Sequence, residues 1–282
     1  MCLCSARPAC FLSLLLAAAS ANAIDGYVLG VSAEADTQDG RAYSGIIDIA
    51  LSDKTWLSTT LSRTTTGGGL GGLDTLYTDL SLEHDFGPLG VRVGGAYWGD
   101  ADILDSVDAR GSVFFRGQPG SLSFDYERRN FDFVFTPFTN PDLQREVSFH
   151  ADGIGGSAWL NAGERTAFFV RGISYDYSRN IRLDPNVDSL LQFSRSRLSL
   201  MNSLIDYRVS GGVTIRINSN ALDLSVSNWR TALDGGHVNS FAIGYTFATS
   251  DAFDLDLRLA YDDAENFGST VALAVSLFYF GG

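Results

Sequence analysis

The chain has 282 residues, with 33 acidic and 20 basic side chains and a formal net charge of −13. A chain this acidic is repelled by the phosphate backbone, so we expect no nucleic-acid partner. All three cysteines lie within the first ten residues, so the remainder has no thiol for a disulfide, a metal site or a nucleophile. We predict no metal site and no cofactor.

Residues 1–23 have the pattern of an export signal peptide. Arg7 supplies a positive charge, residues 11–19 (FLSLLLAAA) form an apolar core, and the sequence ANA that follows supplies a small-residue cleavage site. The apolar core is too short to cross a bilayer as a helix, which needs roughly 20 residues, and no later stretch approaches that length. We predict that the signal peptide is removed and that residues 24–282 form a single domain.

From residue 26 onward, short extended segments with period-two alternation are separated by glycine, proline, asparagine and aspartate turn signals. About fourteen strands are predicted, and because strand boundaries are uncertain by ±2–4 residues, 12 or 16 also fit the pattern. The predicted strands span residues 26–36, 43–52, 55–64, 75–85, 89–98, 106–116, 120–131, 143–152, 165–177, 206–218, 221–230, 238–248, 252–262 and 269–280.

The last predicted strand has two different faces. Apolar side chains from Val271 to Tyr279 alternate with small ones from Thr270 to Ser276, and the strand ends in the aromatic residues Phe278, Tyr279 and Phe280. This strand resembles the closing strand of bacterial outer-membrane β-barrels, in which aromatic residues lie at the membrane interface. The resemblance extends over the mature chain.

The resemblance implies an all-β fold, a transmembrane antiparallel up-and-down β-barrel in the bacterial outer membrane. Its partners would be the outer-membrane lipids and, during biogenesis, the barrel-assembly machinery. An even number of strands, as predicted here, is usual in these barrels, in which periplasmic turns are short and extracellular loops are longer.

The predicted connections follow this alternation of length. Short connections such as residues 52–54 and 118–120 alternate with longer ones such as 66–74. One periplasmic connection, residues 151–164, is too long for the pattern. We therefore expect strands eight and nine to extend into it, where Trp159 would suit the membrane interface.

If the apolar face of each strand contacts lipid, the alternate residues point into the lumen. These inward residues carry charges of both signs, and in the strand 206–218, for example, Asp206, Arg208 and Arg216 are expected to point inward. These charges either form a structural network of ion pairs or line a pore. A barrel of about fourteen strands is intermediate in size between small barrels with filled interiors and open porins, so strand number does not decide between the two. The predicted pore-lining residues are Asp48, Asp79, Glu83, Arg92, Asp108, Arg110, Arg116, Asp125, Arg208, Arg216, Asp254, Asp256 and Arg258.

Many other inward positions carry small residues, which leave room for water. We therefore predict a passive, porin-like channel for small hydrophilic solutes. The small inward positions include Gly30, Ser32, Ala50, Ser58, Ser81, Gly94, Ser112, Ser210, Gly212, Ser225 and Ser227.

The longest connection, residues 178–205, is extracellular by the alternation of loop lengths. It is too apolar for a merely solvated loop, and its arginines match the acidic groups expected in the lumen. Long ordered loops often have a function, so we expect this segment to fold over or into the barrel mouth. The alternative is that its ends extend strands nine and ten above the membrane.

Two other functions remain possible for the same fold. An outer-membrane enzyme, a lipid or peptide hydrolase, could use His150 with Ser148 and Asp152, which we expect to point inward, or His237 with Asp234. A non-conducting structural or secretion-associated barrel would need neither. Electrical conductance would favour the channel, and activity lost on substitution of a histidine would favour the enzyme.

Overall fold

The computed structural model describes residues 26–67, 73–100, 104–135, 145–182, 196–198, 204–266 and 268–282. These residues contain fourteen β-strands, and no helix among them is long and apolar enough to cross a membrane. The strands are β1 (Gly26–Asp36), β2 (Arg41–Ser52), β3 (Thr55–Thr66), β4 (Leu73–Asp85), β5 (Leu89–Asp100), β6 (Leu104–Gly117), β7 (Gly120–Phe135), β8 (Arg145–Asn161), β9 (Thr166–Tyr177), β10 (Ile205–Ile217), β11 (Asn220–Thr231), β12 (His237–Ser250), β13 (Phe253–Ala264) and β14 (Gly268–Gly281).

Each strand pairs antiparallel with its neighbours in sequence, and β1 pairs with β14 to close the barrel. The predicted fold class and the count of fourteen strands are confirmed. The closure removes both sheet edges, so the backbone groups of every strand have a partner on each side. Residues 151–164, which are too long for a periplasmic turn, belong mostly to a strand. Strand β8 continues to Asn161, and only residues 162–165 connect it to β9.

The outward face of the barrel is apolar around its middle. Side chains such as Val31, Val93 and Leu273 are more than half exposed. Aromatic residues border this belt near the turns, where the ring of Tyr279 lies 5.9 Å from Tyr27 and 4.9 Å from Phe253. The exterior therefore has the apolar band and aromatic border that suit a lipid bilayer.

The apolar belt ends before the strands do. On β7 the outward residues Leu122, Phe124 and Tyr126 are followed by Arg128, whose guanidinium lies 3.3 Å from Asp152 on β8. Toward the long connections the outer surface is therefore polar, and both faces of the strands there suit water.

A β-bulge changes the direction of one predicted inward residue. The register between β10 and β11 shifts between Ile205 and Tyr207, and Asp206 lies at this irregularity. The Asp206 carboxylate accepts a hydrogen bond of 2.7 Å from Arg230, the ladder partner of outward Tyr207. The expectation that Asp206 points into the lumen is wrong for this reason.

Candidate functional site

All thirteen predicted pore-lining residues lie on the inward face. Through the strand ladder they share one face of the sheet with buried small residues such as Ala96 and Ala260. The alternate residues of the same strands, on the other face, include exposed leucines and valines. The ladder partners of the pore-lining residues on the neighbouring strand are as follows: Asp48 pairs with Ser58, Asp79 with Ala96, Glu83 with Arg92, Asp108 with Arg129, Arg110 with Glu127, Asp125 with Ser112, Arg116 with Ser121, Arg208 with Trp229, Arg216 with Ala221, Asp254 with Ala248, Asp256 with Thr246 and Arg258 with Gly244.

On the wall formed by β4 to β6, the inward charged residues are paired with one another. The Arg116 guanidinium lies 2.6 Å from Glu83, which also accepts a hydrogen bond of 2.8 Å from Arg92 Nε. Arg110 is paired with Asp79. The first and third of these pairs cross from β6 to β4 over the intervening strand β5, and together the ion pairs neutralise opposite charges and stabilise this wall from inside.

A buried polar cluster continues the same wall toward the long connections. Glu127 Oε1 lies 2.9 Å from Arg129 Nε, and its other oxygen accepts a hydrogen bond of 2.7 Å from the Tyr175 hydroxyl. The Trp98 indole donates a hydrogen bond of 3.0 Å to Asp108, whose side chain is only 3% exposed. Burial of charge is costly unless each group is paired, and here each carboxylate has a cation or a donor.

Above the polar cluster, part of the lumen is filled by an apolar cluster. The Phe131 ring, 1% exposed, lies edge-on to Trp98 at 5.7 Å and is stacked on Phe149 at 4.8 Å. Leu204 and Trp229 belong to the same buried cluster. Sequence reasoning missed this cluster, because alternation alone does not distinguish an apolar residue facing lipid from one packed inside the lumen.

The remaining wall, from β7 to β14, is lined by small hydroxylated residues. Eight inward residues lie directly opposite one another on eight successive strands, and we call this set the hydroxyl row. Its first two members, Ser123 and Ser157, share a hydrogen bond of 2.9 Å. In strand order the hydroxyl row consists of Ser123, Ser157, Arg171, Ser210, Ser227, Ser240, Asp262 and Thr270.

A cavity of about 810 Å³ lies against the hydroxyl row inside the barrel. Four arginines and one aspartate, Asp262, contribute to its lining. Besides these, the lining includes three aromatic side chains and six serines, namely Trp159, Phe169, Trp229, Ser121, Ser157, Ser210, Ser225, Ser227 and Ser240.

Three of the four arginines are exposed to the cavity. Arg171, Arg208 and Arg258 are exposed, and within the described parts of the chain none has a carboxylate oxygen within 4.0 Å. Arg208 lies over the Trp229 ring, 5.2 Å from its centroid, which fixes the guanidinium against the wall. This part of the cavity therefore carries positive charge that is not paired in a salt bridge within the described residues.

The fourth arginine, Arg197, comes from the connection between β9 and β10. It lies 3.0 Å from Asp262 and 3.3 Å from Glu34, and the preceding Ser196 hydroxyl donates a hydrogen bond of 2.7 Å to Asp36. Most of the segment predicted to fold into the barrel mouth, residues 183–195 and 199–203, lies outside the described residues.

The predicted inward orientation of the His150 group is wrong. His150 lies opposite Asn130 on the outward face, while its neighbour Ala151 is completely buried on the inward face. Ser148 shares that outward face and donates a hydrogen bond of 2.6 Å to Asp132. Asp152 Oδ2 is 3.9 Å from His150 Nε2, and no described serine hydroxyl bonds that ring, so the group lacks the geometry of an activated nucleophile.

The second candidate, His237, is also not assembled as a catalytic pair. Its Nδ1 lies 3.3 Å from the Tyr207 hydroxyl, whereas Asp234 accepts hydrogen bonds from Thr231 and Asn266. Within the described residues, no group of three or more histidine, cysteine, aspartate or glutamate side chains could hold a metal ion.

Trp159 also differs from its predicted position at the membrane interface. Its ring lies inside the barrel, stacked on Phe169 with the centroids 6.1 Å apart, because its ladder partners Ser121 and Phe169 are inward residues. The Trp159 and Phe169 rings instead give the cavity an aromatic surface.

No family model matches the chain, and no curated protein matches it. Among solved structures, it is similar to the CymD monoaromatic hydrocarbon channel, with a TM-score of 0.58, 11% sequence identity, and coverage of 92% of this chain and 89% of that chain. It is also similar to a loop-deletion mutant of OmpT, an outer membrane protein of Vibrio cholerae, with a TM-score of 0.51, 8% identity, and coverage of 92% and 100%. At these identities the likeness shows that this chain shares the closed antiparallel barrel fold.

Proposed function

We propose that the chain is a passive outer-membrane channel for small hydrophilic solutes. The apolar outer belt with its aromatic border supports a position in a bilayer, and the closed barrel satisfies every strand's backbone inside it. Residues 1–23 would direct export, and the aromatic end of β14 would be recognised by the barrel-assembly machinery.

The observation that carries this proposal is the difference between the two walls of the lumen. One wall is filled by ion pairs and aromatic rings, which is what a purely structural interior needs. The other wall leaves a cavity of about 810 Å³ lined by serines and arginines. Pockets for small molecules have volumes of roughly 300–1,000 Å³, so this space is sufficient for a small solute.

Single-channel recording of the refolded protein in a planar bilayer tests the proposal. We expect discrete conductance steps from protein whose folding is first verified by circular dichroism and gel migration. Correctly folded protein that inserts and never conducts would contradict the proposal and favour a structural barrel.

A pair of tryptophan substitutions on β11 links any conductance to the cavity. Ser227→Trp fills the space beside the hydroxyl row and is expected to lower the conductance. Leu224→Trp adds the same side chain on the outward face of the same strand, where it contacts lipid, and should leave the conductance unchanged. Equal effects of the two substitutions would place the conduction path elsewhere.

A further inference from the structure

The charge of the cavity lining is unusual for so acidic a chain. The whole protein has a formal net charge of −13, yet the lining carries four arginines against one carboxylate, Asp262. Arg197 is 3.0 Å from that carboxylate, which is therefore already neutralised. Arg171, Arg208 and Arg258 remain as positive charges that face the cavity.

A guanidinium without an acidic partner is suited to an anionic ligand. Its planar set of N–H donors matches the two oxygens of a carboxylate, and the fixed charge requires no change of protonation. Charges in a confined, partly dehydrated space also interact more strongly than those at an open surface. The three arginines come from three strands, β9, β10 and β13, that border the cavity.

The other lining residues define the rest of the ligand. Ser210 and Ser227 are neighbours in the hydroxyl row and offer hydroxyl groups that both donate and accept hydrogen bonds. The stacked rings of Trp159 and Phe169 offer an apolar surface on which a ring can lie. A solute with a carboxylate, several hydroxyls and a ring with an apolar face would use all three features.

From this arrangement we infer that the cavity is a binding site for small sugar acids, whose carboxylate contacts Arg171, Arg208 and Arg258 in turn as the solute passes. The inference rests on the proposed channel function, since the site lies in the conduction path. Binding must be weak enough to release the solute, which suits arginines and single hydroxyls spread along an open cavity better than a closed pocket.

The test is the block of single-channel current by D-glucuronate, with D-glucose and inorganic phosphate as comparison solutes. We expect glucuronate to reduce the current at a concentration at least tenfold below that needed for glucose. Each of Arg171→Gln, Arg208→Gln and Arg258→Gln should raise the half-blocking concentration of glucuronate roughly tenfold, because each removes a charged hydrogen-bond donor. These substitutions should also shift the reversal potential in a KCl gradient toward cation selectivity.

Two controls separate the possible explanations. Arg63→Gln removes an outward arginine paired with Asp74, and should change neither the block nor the selectivity. Arg208→Lys keeps the charge without the planar donor set, so selectivity should persist while the block weakens. If a glutamine variant does not fold, the lysine variant at the same position still tests that arginine.

The outcomes distinguish the inference from the channel function itself. If glucuronate and glucose block the current equally, or if the glutamine substitutions leave the block by glucuronate unchanged, the sugar-acid site is overturned. The channel function is then still supported by the conductance. Equal block by phosphate and glucuronate would also overturn the sugar-acid site, because it would show a general anion site. Absence of conductance from folded protein would contradict the channel function.

Discussion

Arg197 Nη1 lies 3.0 Å from Asp262 Oδ1, which joins a residue of the connection after β9 to strand β13. Strand β10, to which that connection leads, is three strands away from β13 around the barrel. The same guanidinium is 3.3 Å from Glu34 on β1. One arginine therefore carries positive charge from the connection between β9 and β10 to β13 and β1, where it pairs with two acidic side chains.

Replacement of Arg197 by alanine should change both the size and the charge of the cavity. The substitution removes a side chain from the lining and leaves Asp262 and Glu34 without their cation, so conductance should rise and selectivity should shift toward cations. Single-channel recording and reversal potentials measure the two effects. Arg63→Ala is the matched control, because Arg63 pairs with Asp74 on the outer surface. An Arg197→Ala channel indistinguishable from the parent would mean that Arg197 lies outside the conduction path.

The polar cluster around Arg129 should be essential for stability. Arg129→Met leaves Glu127 and Asp108 without their cation, in a part of the lumen where both are nearly buried. Removal of one partner from a buried charge pair costs about 3–5 kcal/mol. Tyr175→Phe removes only the hydrogen bond to Glu127 and should cost less, about 1.5–3 kcal/mol. Urea titration of folding into lipid vesicles gives both values, and the opposite order would contradict the role assigned to Arg129.

The outward face of β13 should reject charge. Leu257→Arg places a guanidinium against lipid and should cost roughly 2–4 kcal/mol if the residue lies near the bilayer midplane. Thr246→Arg adds the same side chain inside the barrel, where its ladder partner is Asp256. The inward variant should lose much less free energy of unfolding. Similar losses from the two variants would argue against lipid contact at Leu257.

The predicted location has a simple biochemical test. We expect the mature protein to begin at Ile24 and to appear in the outer-membrane fraction, which amino-terminal sequencing of that fraction checks. Folded barrels resist detergent at room temperature, so boiled and unboiled samples should migrate differently on a gel. Migration that does not depend on heating, with recovery in the soluble fraction, would reject this location.

The alternation of side chains was sufficient to predict the strands and most of the lumen. In β13, for example, Leu255, Leu257 and Leu259 face outward and Asp256 and Arg258 face inward, because the outward face lies within the apolar belt. Where one face must contact lipid and the other water, a shift of one residue would reverse every side chain. The direction of each residue is then determined by its polarity.

The same reasoning was wrong where that contrast is absent. His150 lies beyond the apolar belt, close to the outward pair Arg128 and Asp152, where the outer surface is polar. A polar residue there gives no information about its direction. At Asp206 a β-bulge changed the phase. Trp159 was predicted at the membrane interface because it is aromatic, although its ladder partners Ser121 and Phe169 place it inside the barrel.

The pairing of β1 with β14 has a consequence for how the barrel folds. Val28 and Phe280, ladder partners at this seam, come from opposite ends of the mature chain. All other strand pairs join sequence neighbours and can form early as local hairpins, whereas this last pairing must overcome the loop-closure entropy of the entire domain. Until the final strand is available, the growing sheet keeps two unpaired edges that can join to other chains. Loss of β14 would therefore leave every other strand pair available and still yield an open, aggregation-prone sheet.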